Sequence, residues 1–199
     1  MTITYPLSLP AARKPRSIVL RPRNVVGVNE SPGSLVQQTY KFPGERWEAD
    51  VSLPLMGRAD GEAWAAFLTS LQGPYGSFLL GDPAHTAPRG SVSGSVTATG
   101  AAMAYVVTLS GGSGSFAVGD WISVSHSGVP RLYKILNAPS AAGGTADIWP
   151  ALRGAVSGAA VTYLSPTGRF MLTGNPPEYT RDSAGRIQIG AFTAVEDLR

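Results

Sequence analysis

The chain of 199 residues is 43% hydrophobic and 15% charged, which suits one sizeable core, or a core domain carrying a smaller insertion, and excludes an intrinsically disordered chain. It has no cysteine and two histidines; this excludes disulfides and thiolate metal sites and leaves a zinc ion mostly carboxylate ligands, an uncommon set. The formal charge of +3 is modest but uneven: residues 1–46 hold seven basic side chains (Arg13, Lys14, Arg16, Arg21, Arg23, Lys41, Arg46) against Glu30 and Glu45.

The 24 glycines and 16 prolines punctuate the chain without a collagen period, so many short strands joined by tight turns are expected. Residues 1–17 read as an extended arm, because Pro6, Pro10 and Pro15 each remove a donor and disfavour helix before them. Its prolines interrupt the apolar run a signal peptide requires, and no stretch approaches membrane-spanning length; folding in a cytoplasm is the expectation. The basic arm is either a solvated segment or one that docks on an acidic protein neighbour. Nucleic acid is less favoured, since aromatic stacking platforms are not interleaved with the cations.

Ser17–Leu20, followed by Arg21-Pro22, reads as an edge strand, where proline is tolerated. The segments 35–42 and 47–53 read as a hairpin turning at Pro43-Gly44. In the second, Trp47, Ala49, Val51 and Leu53 alternate with Glu48, Asp50 and Ser52, the period of a strand with one buried and one wet face. Asp60 then caps a helix over about 61–72, with Trp64, Phe67, Leu68 and Leu71 at i, i+3, i+4 and i+7 forming one stripe that must lie on a sheet. Gly73 and Pro74 stop it, and Ser77–Leu80 follows as a strand closed by Gly81-Asp82-Pro83.

From 90 to 165 the composition changes: 37 of these 76 residues are Gly, Ala or Ser, and five are charged (Asp120, Arg131, Lys134, Asp147, Arg153). Six short strands are expected, over 92–99, 105–109, 121–124, 131–136, 146–149 and 160–164. Their spacing near ten residues suggests a small barrel or sandwich inserted into the first domain. Gly168–Thr173 resumes the earlier character, and Asp182–Gly185 reads as the turn of a closing hairpin whose second arm carries Ile187, Ile189 and Ala191. The fold expected is thus mainly β: a sandwich core with one packing α-helix, from residues 1–89 and 166–199, and an inserted β-domain over 90–165.

No catalytic, cofactor-binding or metal-ligating residue emerges, and no enzyme activity or cofactor is expected. Gly111–Ser115 lacks the spacing of a phosphate loop and opens no helix. Asp82 and His85 lie close in sequence, but a catalytic pair needs a nucleophile and an oxyanion donor, and a tight Gly/Pro turn explains Asp82 alone. Glu48 and Asp50 share a strand face as a glycosidase pair does, and are more simply its wet face.

The order of motifs is informative. An N-terminal hairpin precedes a helix of the form Trp64-x-x-Phe67-Leu68-x-x-Leu71-x-Gly73, then GSFLLGDP (76–83) and a Pro88-Arg89-Gly90 step. The insertion carries GDWISV (119–124), PRLYKIL (130–136) and IWPALRG (148–154), and the chain returns through SPTGRFML (165–172) to end near AVEDLR (194–199). This order resembles distal tail proteins of long-tailed, siphovirus-like bacteriophages and related tail-like particles, over most of the chain beyond the arm. The resemblance implies a structural virion protein at the tail tip, assembled in the bacterial host cytoplasm. It implies a β-sandwich core related to tail-tube subunits and a homo-hexameric ring joining the tail tube protein to tail tip or hub proteins, with DNA only as cargo through the lumen and no membrane. No functional residue is carried over by it. The alternative is a receptor- or carbohydrate-binding module that touches a host surface glycan or receptor through Trp121, Tyr133 or Trp149 of the inserted domain.

Overall fold

Residues 3–199 are described by a computed structural model. The chain is mainly β with one α-helix, and its regular ladders are antiparallel. The first strands are β1 (Ser17–Glu30) and β2 (Gln37–Ser52), followed by helix α1 (Arg58–Ser70) and β3 (Ser77–Leu80). The next six strands are β4 (Val96–Gly100), β5 (Val106–Ser110), β6 (Trp121–His126), β7 (Val129–Ile135), β8 (Thr145–Trp149) and β9 (Val156–Thr162). The last four are β10 (Gly168–Leu172), β11 (Tyr179–Arg181), β12 (Ile187–Ile189) and β13 (Phe192–Glu196).

Five strands form one sheet in the order β1-β2-β13-β10-β3. Its inner face is built by the alternation expected in β2: Trp47, Ala49, Val51 and Leu53 are buried. The α1 stripe of Trp64, Phe67, Leu68 and Leu71 packs onto the same core, together with Ile187 and Ile189 from the β11–β12 ribbon. Helix and ribbon together make the second layer. Trp64, Phe67, Phe78 and Phe192 run through this core as successive edge-to-face contacts with centroids 5.6, 5.8 and 6.4 Å apart, the arrangement aromatic quadrupoles favour. The layers meet most closely at Gly61, where an added Cβ falls 2.5 Å from Ile187 Cβ. Gly61→Ala is expected to destabilise the fold by about 1–3 kcal/mol, the cost of overpacking a close helix contact, outweighing the helix propensity it gains. Urea unfolding of the two proteins measures it.

Several expectations are corrected in this half. Residues 37–42 and 47–52 of the two expected segments belong to one continuous strand, β2, whose partner is β1. The turn lies instead at Ser31–Val36, where the Ser31 N–H donates to Val36 O at 3.0 Å and the Leu35 N–H to Ser31 O at 2.9 Å. Pro43-Gly44 occupies a bulge. The ladder steps from Arg23↔Arg46 to Val25↔Phe42, so Asn24 faces three residues, and proline needs no ladder hydrogen bond there. Ser17–Leu20 is the root of β1, which forms one edge of the sheet throughout. Asp60 is not the N-cap: the Gly61 N–H bonds to Gly57 O at 2.9 Å, closing the first turn from Gly57 and leaving Asp60 within it. The helix ends at Leu71, and the reversal begins at Gln72 (φ 52°), one residue before Gly73 (φ 69°). Strand β13 was not foreseen and is the sheet's central strand; Ala191, expected in the hairpin arm, is exposed outside β12.

Residues 1–2 of the expected arm lie outside the described residues; the rest of it, 3–17, is committed to its own domain. The Leu7 N–H donates to Ser77 O, the Leu79 N–H donates to Leu7 O, and Tyr5 OH donates to Ser70 O. Tyr5, Leu7, Leu9 and Ala12 pack on the sheet core, while Arg13, Lys14 and Arg16 stay exposed.

The chain leaves the sheet after β3 and returns to pair with it through β10, Leu80 opposite Gly168. Between them, all six expected strands form with shifted ends and close into a barrel, β4-β5-β8-β7-β6-β9. Its interior is a second core that includes Leu109, Phe116, Ile122, Tyr133, Ile135 and Ile148.

Candidate assembly interface

Turn and ladder contacts occupy the carboxylates weighed for chemistry. Asp82 Oδ1 accepts the Ala84 N–H at 2.9 Å and its carbonyl accepts the His85 N–H, a side-chain-stabilised turn. His85 is buried beside a cavity of about 250 Å³ under the arm, and its Nε2 has no hydrogen-bond partner. Glu48 pairs with Arg46 at 3.2 Å and Arg23 at 3.7 Å, and Asp50 with Arg21 at 2.8 Å, so both carboxylates serve the β1–β2 ladder. Gly111–Ser115 bridges to Ser93 and runs on toward β6 without opening a helix. Among the described residues no group of three or more His, Asp or Glu is placed to hold a metal ion, and no helix is long and apolar enough to cross a membrane.

The aromatic trio named for a host ligand is turned inward. Trp121 and Tyr133 are buried and Trp149 is partly covered. Trp47 of the sheet lies between Trp121 (4.7 Å, tilted) and Trp149 (4.3 Å, edge-on), and its Nε1 donates to Leu132 O at 3.0 Å. These indoles join the barrel to the sheet.

Charge reinforces the same joint. Glu196, buried at the end of β13, accepts from Arg153 of the barrel at 2.5 Å and from the Trp47 backbone N–H at 3.2 Å. Arg131 of β7 donates to the carbonyls of Asp197 and Arg199. Burial works to raise the Asp197 carboxyl, but hydrogen bonds from Arg199 and the nearby Arg169 guanidinium outweigh it and hold it below the usual range. On the other side of Tyr133, whose OH bonds His126 Nε2 at 2.8 Å, burial followed by the Arg131 and Arg153 charges pushes His126 down from 6.5 to about 4. A folded pKa below the unfolded one means that the unfolded chain binds the proton first. Stability is therefore expected to fall as the pH drops from about 6.5 towards 4, and His126→Gln flattens that part of the curve. Thermal unfolding at a series of pH values reads it.

The feature without an internal explanation is the outer part of the β1–β2 hairpin. Beyond the bulge no second layer covers it, yet it carries Val25, Val26, Val28, Leu35, Val36, Tyr40 and Phe42, with exposures from 42% at Val25 to 71% at Leu35. The register puts Val25, Phe42 and Tyr40 on one face and Val26 and Val28 on the other. Both faces are thus partly apolar. Among the described residues both edges of the outer ladder are also free: β1 pairs with β2 alone, and β2 meets β13 through Glu48–Val51, leaving Gln37–Phe42 without a ladder partner on that side. A two-stranded ribbon in water is marginal on its own, and free apolar edges are pairing templates. This is the pattern of a surface that is covered in an assembly.

Against known proteins, no family model and no curated sequence matches the chain.

Proposed function

We propose that the chain is a structural subunit of a bacteriophage tail or tail-like particle, a distal tail protein whose copies close into a ring, six in number, between the tail tube and the tip or baseplate. The observation that carries this reading is the outer hairpin, apolar on both faces and unpaired on both edges, a contact that a neighbouring copy satisfies. A hairpin reaching into a different surface of its neighbour is a heterologous contact, and heterologous contacts close into rings when the rotation permits. The ordered motifs from the α1 stripe to AVEDLR supply the tail-protein identity.

In this reading the partners are further copies of the chain, the tail tube protein and tip or hub proteins. DNA passes through the lumen as cargo, and the subunit catalyses nothing. The receptor-binding alternative loses Trp121 and Tyr133, which are buried, and most of Trp149, which lies against Trp47. Electron microscopy of the assembled particle with this subunit labelled is the test. A collar of label at the lower end of the tube supports the reading; label along the tube, on fibres or absent from the particle overturns it.

A further inference from the structure

The barrel grips the hairpin at the one place where the hairpin is free to bend. Between Arg23↔Arg46 and Val25↔Phe42 the ladder is interrupted, and a ribbon hinges most readily where its cross-strand bonds are missing. The residues left over at that bulge are Asn24 on β1 and Pro43, Gly44 and Glu45 on β2. Asn24 and Glu45 are both held by the barrel. Trp149 Nε1 donates to Asn24 Oδ1 at 3.0 Å. Tyr105 OH donates to Glu45 Oε1 at 2.8 Å, and the Ala151 N–H to Glu45 Oε2 at 3.2 Å.

Lys41, just beyond the bulge on β2, completes the grip: its Nζ lies 2.6 Å from Glu45 Oε1 and 3.9 Å above the Tyr105 ring centre. The carboxylate is 1% exposed, where hydrogen bonds to charge are strong and directional. The barrel is in turn braced on the sheet by the Trp47, Trp121 and Trp149 contacts and by Arg153–Glu196. Sheet, barrel and hairpin therefore form a closed triangle of contacts.

We propose that the inserted barrel is a strut: by holding Asn24 and Glu45 it fixes the angle at which the outer hairpin leaves the sheet, and through the hairpin it fixes the angle between neighbouring copies. The second half rests on the reading of the hairpin as the contact between copies. Asn24, Glu45 and Tyr105 are positioning residues, acting through the hairpin's direction and not through contact with a neighbour.

The absence of cysteine makes the test direct. Gly33 at the hairpin turn and Gly143 in the barrel both have open space for a side chain and no left-handed backbone, so Gly33→Cys and Gly143→Cys accept spin labels. Pulsed dipolar spectroscopy on the labelled chain, diluted with unlabelled chain, is expected to give one narrow distance distribution. Adding Asn24→Ala and Tyr105→Phe is expected to widen it at least twofold, and Tyr105→Phe alone, which removes a single hydroxyl, to widen it less. An unchanged width in the double variant overturns the strut. Mass measurement of the unlabelled proteins separates the two halves. One oligomer mass for the native chain and a spread of masses for the double variant supports both. A loosened hairpin with an unchanged single oligomer mass overturns the control of subunit angle. A native chain that stays monomeric at every concentration overturns the ring reading, while the widened distribution still supports the strut.

Discussion

Trp47→Ala is expected to cost about 3–5 kcal/mol, the range for removing a large aromatic from a packed interior. Trp47 is 3% exposed and is the only side chain that meets both Trp121 and Trp149 among the aromatic contacts of the described residues. Its loss opens a cavity between two cores, leaves Leu132 O without its indole donor, and exposes the neighbouring Arg153–Glu196 pair to water. Trp47→Phe keeps most of the packing and loses the hydrogen bond, so a smaller cost of about 1–3 kcal/mol is expected. Equilibrium urea unfolding followed by tryptophan fluorescence and by far-UV circular dichroism measures both. Because the joint couples the cores, the alanine variant is expected to separate the two probes' transitions, whereas the native chain shows one. A single unshifted transition for Trp47→Ala would mean that the joint carries no cohesion between sheet and barrel.

The second large effect is on assembly and leaves the fold alone. Val28 and Phe42 lie on opposite faces of the outer hairpin and are 61% and 52% exposed. The double change Val28→Asp with Phe42→Asp is expected to move the chain's stability by less than about 1 kcal/mol, as exposed substitutions away from caps and cores do. The same change places two carboxylates in a contact that must be desolvated on association, which costs several kcal/mol. Self-association is therefore expected to weaken by at least a hundredfold, read by sedimentation velocity over a concentration series. Unaltered association with an unaltered fold would move the interface elsewhere on the molecule.

The parts of the fold legible from sequence are those set by local periodicity. The alternation from Trp47 to Leu53, the α1 stripe and the six barrel strands each record burial against a neighbour within a short window. The hairpin turn was misread although the sequence marks it: Ser31-Pro32-Gly33-Ser34 is at least as strong a turn signal as Pro43-Gly44, and the choice between the two is made by the length of β1 and its register with β2. Strand β13 was missed for a related reason: Phe192, Ala194 and Val195 follow Gly190 and Ala191 so closely that they read as the end of the preceding hairpin. In the sequence Glu45 reads only as one of two acidic residues among the basic first 46. Its burial comes from Tyr105 and Ala151, 60 and 106 positions away, and no window around Glu45 contains that information. In the sequence Tyr40 and Phe42 share a face with Gln38, apolar only toward the turn and open to a partner elsewhere; that Val25 lies on the same face and that the face is exposed comes from the structure.

In the proposed reading the exposed hairpin is the contact between copies that close into a ring. The mass of the purified chain across a wide concentration range, by sedimentation equilibrium, tests it. A single closed oligomer, six copies in the proposed reading, that disappears with Val28→Asp and Phe42→Asp is the result predicted; a strict monomer at the highest concentration, with both apolar faces of the hairpin still open to water, would contradict it.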